Sequence, residues 1–190
     1  PACDTATLFE NAAGAAVCVE GPNGAATGFF VAPNLVMTGS AILGIADQRL
    51  NVTLFRMSAD KPKTPQKMIT LKGTVLWARP DCPAALISVR APVPPPVLSF
   101  RREASLATEP LTVLCTAPGN PPTLVAVPVS GAGPDARQIV AKDRTWLSFD
   151  RGAPILDPTG RVVGIVAGKR DATTTAFVPA SELEAFIPIR

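Results

Sequence analysis

The sequence of 190 residues contains no histidine and no tyrosine, and only 17% of its residues are charged. Without histidine, the chain cannot supply a Ser-His-Asp or Cys-His catalytic set or a histidine-ligated metal site. It also contains no apolar run near the roughly 20 residues that a membrane-spanning helix requires. We therefore expect no metal, no cofactor and no membrane span.

Glycine and proline are abundant instead, with 14 and 21 copies, and 47% of the residues are hydrophobic. This composition is typical of a globular protein rich in turns, and it argues against a helical bundle or a disordered chain. Positive charge concentrates in residues 56–72, but no aromatic side chain lies within this segment to stack on bases. We interpret the segment as a solvated loop between strands and expect no nucleic-acid partner.

The four cysteines lie far apart and form neither a CxxC motif nor a metal-ligand spacing. Their even number favours an oxidising compartment. A first residue other than methionine fits a cleaved signal peptide, and a sequence cut from a longer chain would begin in the same way. We therefore expect a periplasmic or secreted protein. We predict the disulfides Cys3–Cys18 and Cys82–Cys115, one of three possible connectivities, each stabilising the fold by about 3–4 kcal/mol. Four buried thiols are the alternative.

Short apolar runs with a period of two, separated by turn residues, predict strands throughout the chain. The stretch RAPVPPPVL at residues 90–98 cannot contribute donors to a strand ladder, so it marks a boundary. We predict an N-terminal β-barrel at 1–90, a linker at 91–110, and a C-terminal β-barrel with a terminal helix at 111–190. The predicted strands are 15–19, 29–32, 35–38, 52–55, 68–71, 74–77, 84–89, 111–115, 124–129, 138–140, 146–149, 161–166 and 174–178.

Three segments carry a family resemblance: GFFVAPNLVMT at residues 28–38, AALISV at 84–89, and GAPILDPTGRVVGIV at 152–166. They resemble, in order, the strand pair before the catalytic histidine, the strand after the triad aspartate, and the stretch after the serine of trypsin-like serine peptidases. The resemblance covers most of the chain. It implies the all-β chymotrypsin-like fold, with two six-stranded antiparallel β-barrels and a short C-terminal helix.

Two further segments, 113–120 and 177–179, resemble the strand that opens the second barrel of that family and the residues before its terminal helix. For this helix, Ser181 and Glu184 predict a capping box, in which each side chain bonds the backbone N–H of the other. The helix is predicted to stop at Pro188.

The residues that carry the chemistry of the family are replaced. Alignment by motif puts Ala41 at the histidine, Pro83 at the aspartate and Arg151 at the serine, and it puts Phe149 at a glycine of the oxyanion hole. Loss of one triad member costs roughly 10⁴–10⁶ in turnover. The resemblance therefore implies a degenerate member without catalytic residues, a pseudopeptidase, and we predict that the chain is not an enzyme.

Such a scaffold would keep a cleft and a strand edge able to pair with an extended peptide. The resemblance places this edge at Val166, Ala167, Gly168 and Lys169, and we predict a protein- or peptide-binding module that uses it together with Arg151. The alternatives are a structural subunit of an envelope or secretion assembly and, last, a hydrolase with an unconventional active site.

The side chain of Arg151 has three possible states at this stage. It could pair internally with Asp150 or Asp81, it could bind a carboxylate or another anion of a ligand, or it could be solvated. Ser40, next to Ala41, and Lys169 are candidates for an unconventional nucleophile and base, but structural roles are the expectation for both.

Overall fold

The structure, a computed structural model, describes residues 5–44, 49–57, 65–78, 81–101, 110–127, 138–140, 145–169 and 174–187. The strands of the first half are β1 (Ala16–Gly21), β2 (Gly24–Ala32), β3 (Leu35–Gly39), β4 (Arg49–Met57), β5 (Pro65–Ala78) and β6 (Ala84–Val89). Those of the second half are β7 (Leu111–Ala117), β8 (Asn120–Val127), β9 (Gln138–Val140), β10 (Pro154–Leu156), β11 (Val162–Lys169) and β12 (Thr174–Pro179). The α-helices are α1 (Thr5–Ala12) and α2 (Ala180–Leu183), and 3₁₀ helices span Ala13–Ala15, Ser40–Ile42, Ser148–Asp150 and Glu184–Phe186.

The first six strands form a closed antiparallel barrel in the order β1-β2-β3-β6-β5-β4. Because successive side chains of a strand point to opposite faces, Phe30 lies inside this barrel whereas its neighbour Phe29 lies outside, and both are fully buried. The interior is filled by aliphatic and aromatic side chains, namely Val17, Val19, Ala26, Phe30, Val36, Ile42, Leu50, Val52, Ile87 and Val89.

The second half forms a six-stranded sheet in the order β8-β7-β10-β11-β12-β9. A second closed barrel was predicted here, but in the described residues β8 and β9 are not paired with each other. The strand β9 has only three residues, and all three pair with β12. The overall class is confirmed: the fold is all-β, with a six-stranded barrel, a second sheet and a short C-terminal helix.

The outer face of the barrel packs against the second sheet, so the two halves share one core. A row of paired residues crosses the barrel from β1 to β5 and faces the second half: Ala16, Phe29, Met37, Leu86 and Trp77. The second sheet contributes Leu114, Leu156 and Ile165 to the same cluster. Alternate residues of the barrel strands therefore pack into two different cores. The domain boundaries at residues 90 and 110 stay a prediction.

Segments outside the strands also connect the halves. The linker donates from Leu98 N–H to the Phe30 carbonyl at 3.0 Å, and Ser99 accepts from Val162 N–H at 2.8 Å. Helix α1, which the sequence analysis missed, buries Leu8 in the shared core. The terminal segment adds a ring stack between Trp77 and Phe186, with centroids 4.1 Å apart.

Three local predictions were wrong. Residues 146–149 form no strand, since a 3₁₀ helix begins at Ser148. Residues 68–71 and 74–77 belong to one strand, because Gly73 between them is not a turn: a Cβ there would lie 2.6 Å from Ile87 Cγ2, inside the barrel. Helix α2 begins at Ala180 with Pro179 at its N-cap and no side-chain cap, so the predicted capping box is not formed.

The structure contains neither predicted disulfide. Cys18 and Cys82 are free thiols, and Cys3 lies outside the described residues. Cys18 is buried in the middle of β1, a strand that pairs with β2 on one side and with β4 on the other. Cys82 is on the loop before β6 in the first half, whereas Cys115 is in β7 and faces the core of the second sheet. The two members of that predicted pair thus belong to different packing layers.

Candidate functional site: the cleft between the two halves

The loop from Ser148 to Gly152 joins the second sheet to the barrel at one close contact. Gly152 adopts a φ of +78°, and a Cβ on it would lie 2.2 Å from Gly39 N and 2.4 Å from Thr27 O. Only glycine fits this conformation and this approach. The loop is also held by Thr27 N–H, which donates to the Arg151 carbonyl at 3.1 Å.

Buried threonines fasten the same contact. The Thr27 hydroxyl accepts from Thr116 N–H at 3.0 Å and lies 2.9 Å from the Phe149 carbonyl, to which it can donate. Thr38 donates its hydroxyl to the Thr27 carbonyl at 2.8 Å. All three threonines are buried. We call the contacts made by Thr27, Thr116 and Gly152 the seam.

The three positions matched to the triad lie around the end of β3. Ser40, at the start of the 3₁₀ helix that carries Ala41, donates its backbone N–H to the Pro83 carbonyl at 2.9 Å. On the other side, Arg151 Cβ is 3.1 Å from where a Cβ of Gly39 would stand. Ala41 is therefore two residues after Gly39 in the chain, Arg151 packs against Gly39, and Pro83 contacts Ser40 directly. The Ser40 hydroxyl donates to the Cys82 carbonyl at 3.1 Å, as a structural serine would.

The side chain of Arg151 extends from the barrel to the second sheet. Its Nε lies 3.7 Å from where a Cβ of Gly168 would stand, which places the guanidinium beside β11. In the part of the chain that the structure describes, no carboxylate pairs with it. The neighbouring Asp150 is buried and accepts instead from Leu147 N–H at 2.7 Å. Of the three predicted states, the internal ion pair is absent from the described residues.

The backbone before Arg151 is wound into the 3₁₀ helix Ser148–Asp150. As a result, Arg151 N–H points at the Ser148 carbonyl, at 3.5 Å, and Asp150 N–H at the Leu147 carbonyl, at 3.1 Å. An oxyanion hole needs N–H groups aimed at the reacting atom. Two consecutive N–H groups of this loop are directed into the loop itself.

The predicted edge at residues 166–169 is not uniform. Val166 is buried, and both its backbone groups are used: its carbonyl accepts from Gly152 N–H and its N–H donates to the Ala153 carbonyl. Ala167 is a bulge, skipped in the pairing of β11 with β12. Gly168 directs its carbonyl to β12, where the Thr175 hydroxyl donates to it at 2.6 Å.

Backbone groups of a strand alternate between its two sides. Since Gly168 faces β12, the following residue, Lys169, turns its N–H and carbonyl the other way, toward the cleft. No described strand pairs with Ala167 or Lys169 on the cleft side. We call Ala167–Lys169, with the Arg151 side chain beside it, the open edge. Val166 does not belong to it.

Two titratable groups outside this site have shifted pKa values. Burial, reinforced by the charge of Glu20, raises the pKa of the Cys18 thiol to about 12. For Asp157, burial alone would raise the pKa, but hydrogen bonds from Thr159 and from Arg161 N–H, with the charge of Arg161, outweigh it and lower the pKa. Both groups are structural: Cys18 is buried in the paired strand β1, and Asp157 closes the turn between β10 and β11.

An open hollow of about 500 Å³ lies at the end of the barrel, lined by Glu20, Gly21, Pro22, Arg49 and Asn51. None of these residues belongs to the predicted site. Across the residues that the structure describes, no group of three or more possible metal ligands occurs, and no helix is long and apolar enough to cross a membrane.

A closed barrel and a second sheet that share a core, with a cleft where the loops after β3, before β6 and before β10 meet, define a chymotrypsin-like fold. A profile of the trypsin-like peptidase domain matches residues 26–165. The chain belongs to the trypsin-like peptidase domain family.

Solved structures agree with the fold. The inactive form of the Rv3671c protease superimposes with a TM-score of 0.73, at 23% identity, over 97% of this chain and 96% of that one. Deg5 superimposes with the same TM-score at 18% identity, over 94% of this chain and 90% of that one.

Two curated relatives from Mycobacterium tuberculosis are each 26% identical over 164 residues: the serine protease Rv3671c of strain H37Rv and the serine protease MT3772 of strain CDC 1551. The match covers 80% of this chain. The chain spans 38% of the length of either relative.

These comparisons contradict the prediction that the chain is not an enzyme. The family is one of peptidase domains, and both curated relatives are named serine proteases. The prediction depended on the absence of histidine and on Ala41, Pro83 and Arg151 at the triad positions, which test a single catalytic arrangement within a chain that spans 38% of the length of those relatives. The family resemblance itself is confirmed.

The sequence analysis named Arg151 and residues 166–169, but it did not name Thr27, Thr116 or Gly152 of the seam. Thr27 offered a signal: strand alternation puts it on the outer face with Phe29, where a hydroxyl must find a partner if it is buried. Gly152 offered a second signal, as a glycine next to the position matched to the serine. Nothing in the sequence indicated that Ala167 is a bulge.

Proposed function

We propose that this domain binds an extended peptide or protein segment at the open edge, in the cleft between its two halves. The observation that carries the proposal is the bulge at Ala167, after which strand alternation turns the backbone of Lys169 toward the cleft, where no described strand pairs with it. An extended segment laid there adds a strand through main-chain hydrogen bonds. Buried Val166, whose backbone groups are already used, marks where such pairing must stop.

The surroundings of the edge leave room for a ligand. At Gly168, the one atom of the described residues within 4 Å of an added Cβ would be Arg151 Nε, at 3.7 Å. Ala167 and Gly168 are half-buried, so they line the cleft without being covered. The backbone of the loop opposite is fixed by the seam, which makes the site preformed and lowers the ordering cost of binding.

The test uses fluorescein-labelled octapeptide pools of mixed sequence and follows their anisotropy. Gly168→Val fills the cleft floor at a position where a Cβ fits, so it should weaken binding at least about tenfold while the urea midpoint is kept. Thr123→Val, on the exposed face of β8, is the matched control and should change nothing. Equal binding by wild type and Gly168→Val, or no binding by wild type, overturns the proposal.

The alternative role, a structural subunit of an envelope or secretion assembly, makes the opposite prediction for the same variant. A partner captured by wild type would then be captured equally by Gly168→Val. The predicted periplasmic or secreted location also stays a prediction. Its premise was paired cysteines, and a count of thiols in the isolated protein tests that premise.

A further inference from the structure

The Arg151 guanidinium is a charged group that lies beside the open edge. Its backbone carbonyl is bound by Thr27 N–H and its Cβ packs against Gly39, so the side chain starts from a fixed point of the seam. From there it reaches Gly168, and its exposure is intermediate. The buried contacts of its backbone and Cβ thus fix the point from which this side chain extends.

No carboxylate of the described chain neutralises this charge. Asp150, the adjacent acid, is buried and engaged with the backbone of Leu147 on the far side of the 3₁₀ helix. Asp81, the other candidate of the sequence analysis, forms no ion pair with Arg151. By contrast, Arg101 and Arg161 of the same half both pair with Asp157.

We propose that Arg151 selects a carboxylate on the bound segment, at the residue that lies over Gly168. This inference rests on the proposed function. A guanidinium presents donors in a planar fork that fits a carboxylate bidentately, and partial exclusion of water strengthens such charge-assisted bonds. The carboxylate is either an aspartate or glutamate side chain or the C-terminus of the segment, because both present the same two oxygens.

The position of the guanidinium explains why a carboxylate would be preferred over a neutral or basic group. A bound segment hydrogen-bonds through Ala167 and Lys169, so its residue over Gly168 directs its side chain or its terminus toward the floor of the cleft. That floor has no side chain of its own at Gly168, and Arg151 Nε occupies its rim. A neutral or basic group at the same place would leave the guanidinium desolvated without a partner, which is unfavourable.

The test fixes one residue of the octapeptide pools at a time, as glutamate or glutamine, and prepares each pool with a C-terminal acid or amide. Wild type should prefer one acidic form over its neutral form by at least about tenfold in Kd. In Arg151→Met that preference should vanish, and in Arg151→Lys it should shrink because the fork is lost. Arg90→Met removes the same charge from the exposed end of the first half and should keep the preference.

The outcomes separate this inference from the proposed function. Preference confined to the glutamate pools identifies a side chain as the source, and preference confined to the acid pools identifies the C-terminus. If acidic and neutral pools bind wild type with equal Kd but Gly168→Val still weakens both, the inference is overturned and the proposed function stands. If a pool with phosphoserine binds wild type well, while the glutamate pools bind no better than the glutamine pools, the group that Arg151 binds is not a carboxylate. That outcome overturns the inference too. If no pool binds, the proposed function fails first.

Discussion

The seam and the open edge meet at Arg151 and are built in opposite ways. On the side of the seam, Thr27, Thr116 and Gly152 are buried, and the backbone N–H of each is hydrogen-bonded. At the open edge, Ala167 is skipped by the strand pairing and the guanidinium has no partner in the described chain. The backbone of Arg151 belongs to the seam, whereas its side chain belongs to the edge.

The difference shows which parts of the cleft can change without loss of the fold. Seam residues are constrained by backbone contact, so even one added methyl group must displace main-chain atoms. Edge residues contact little, so their side chains are free to define what binds. Substitutions on the two sides should therefore separate stability from recognition.

The largest expected effect is on the alkylation of Cys18, a buried thiol on the side of the seam. Cys18 pairs in register with Thr27 and shares its face toward the second sheet. With a pKa of about 12 instead of 9.0, its thiolate fraction at pH 8 is lower than that of an ordinary thiol by about a thousandfold. Iodoacetamide at pH 8, followed by peptide mass spectrometry, should label half-buried Cys82 and leave Cys18 unmodified.

Two further measurements sharpen the thiol experiment. In urea both cysteines should label, since unfolding removes the burial. Equal rates for Cys18 and Cys82 in the native protein would contradict the pKa shift. Failure of either thiol to label in urea without reductant would instead support the disulfides predicted from the sequence.

At the seam, Gly152→Ala should be the most destabilising substitution. The new Cβ would lie 2.2 Å from Gly39 N and would force alanine into a φ of +78°, so we expect a loss of about 3 kcal/mol or more in the free energy of unfolding. Urea titration measures it. Gly119→Ala is the matched control, because its φ is +73° but nothing lies within 4 Å. It should cost about 1 kcal/mol. Equal losses in the two variants would mean that conformation, and not contact, defines the seam.

Thr27→Val should have the next largest effect. Valine keeps the shape but leaves Thr116 N–H and the Phe149 carbonyl without the Thr27 hydroxyl, at a cost of about 1–3 kcal/mol. Thr53→Val is the control, because Thr53 is also buried but its hydroxyl pairs, at 3.1 Å, with that of exposed Thr70, which water can bond instead. If Thr53→Val is as costly as Thr27→Val, the buried partners of Thr27 at the seam add nothing.

Much of this fold follows from the sequence because alternation is a local signal. Phe29 and Phe30 had to face opposite sides of β2, and two apolar faces require two packing partners. The open edge was harder to predict. A bulge at Ala167 depends on the registers of β11 with both β10 and β12, and the spacing of residues along one strand contains no information about either register.

Glycine gave the most misleading signal. Gly73 interrupts an apolar run and predicts a break, yet it lies in the middle of β5 because Ile87 and Val52 occupy the space of its missing side chain. Gly152 and Gly168 are equally ambiguous in sequence. One is required by a close contact and the other faces open space, and only the three-dimensional neighbours distinguish them.

A smaller effect is expected at Asp157, which fastens the turn at the start of β11, away from both sides of the cleft. Because its pKa is lowered in the folded state, the stabilisation is present above the ordinary value of 3.8 and is lost as the pH falls through the folded-state pKa. Asp157→Asn should therefore cost about 1 kcal/mol at pH 7. Urea midpoints from pH 7 to about pH 2 should converge with those of wild type, and parallel curves would contradict the ionic origin.

The smallest stability effect should be that of Arg151→Ala, although its neighbour Gly152 is the most sensitive residue of the seam. Alanine retains the Cβ that packs against Gly39 and the carbonyl that accepts from Thr27, and it removes only the guanidinium, which has no partner in the described chain. The free energy of unfolding should stay within about 0.5 kcal/mol of wild type. A loss of about 1.5 kcal/mol or more would mean that the guanidinium contributes to the fold as an internal plug. The boundary between seam and edge would then lie beyond Arg151, because the side chain as well as the backbone would be structural.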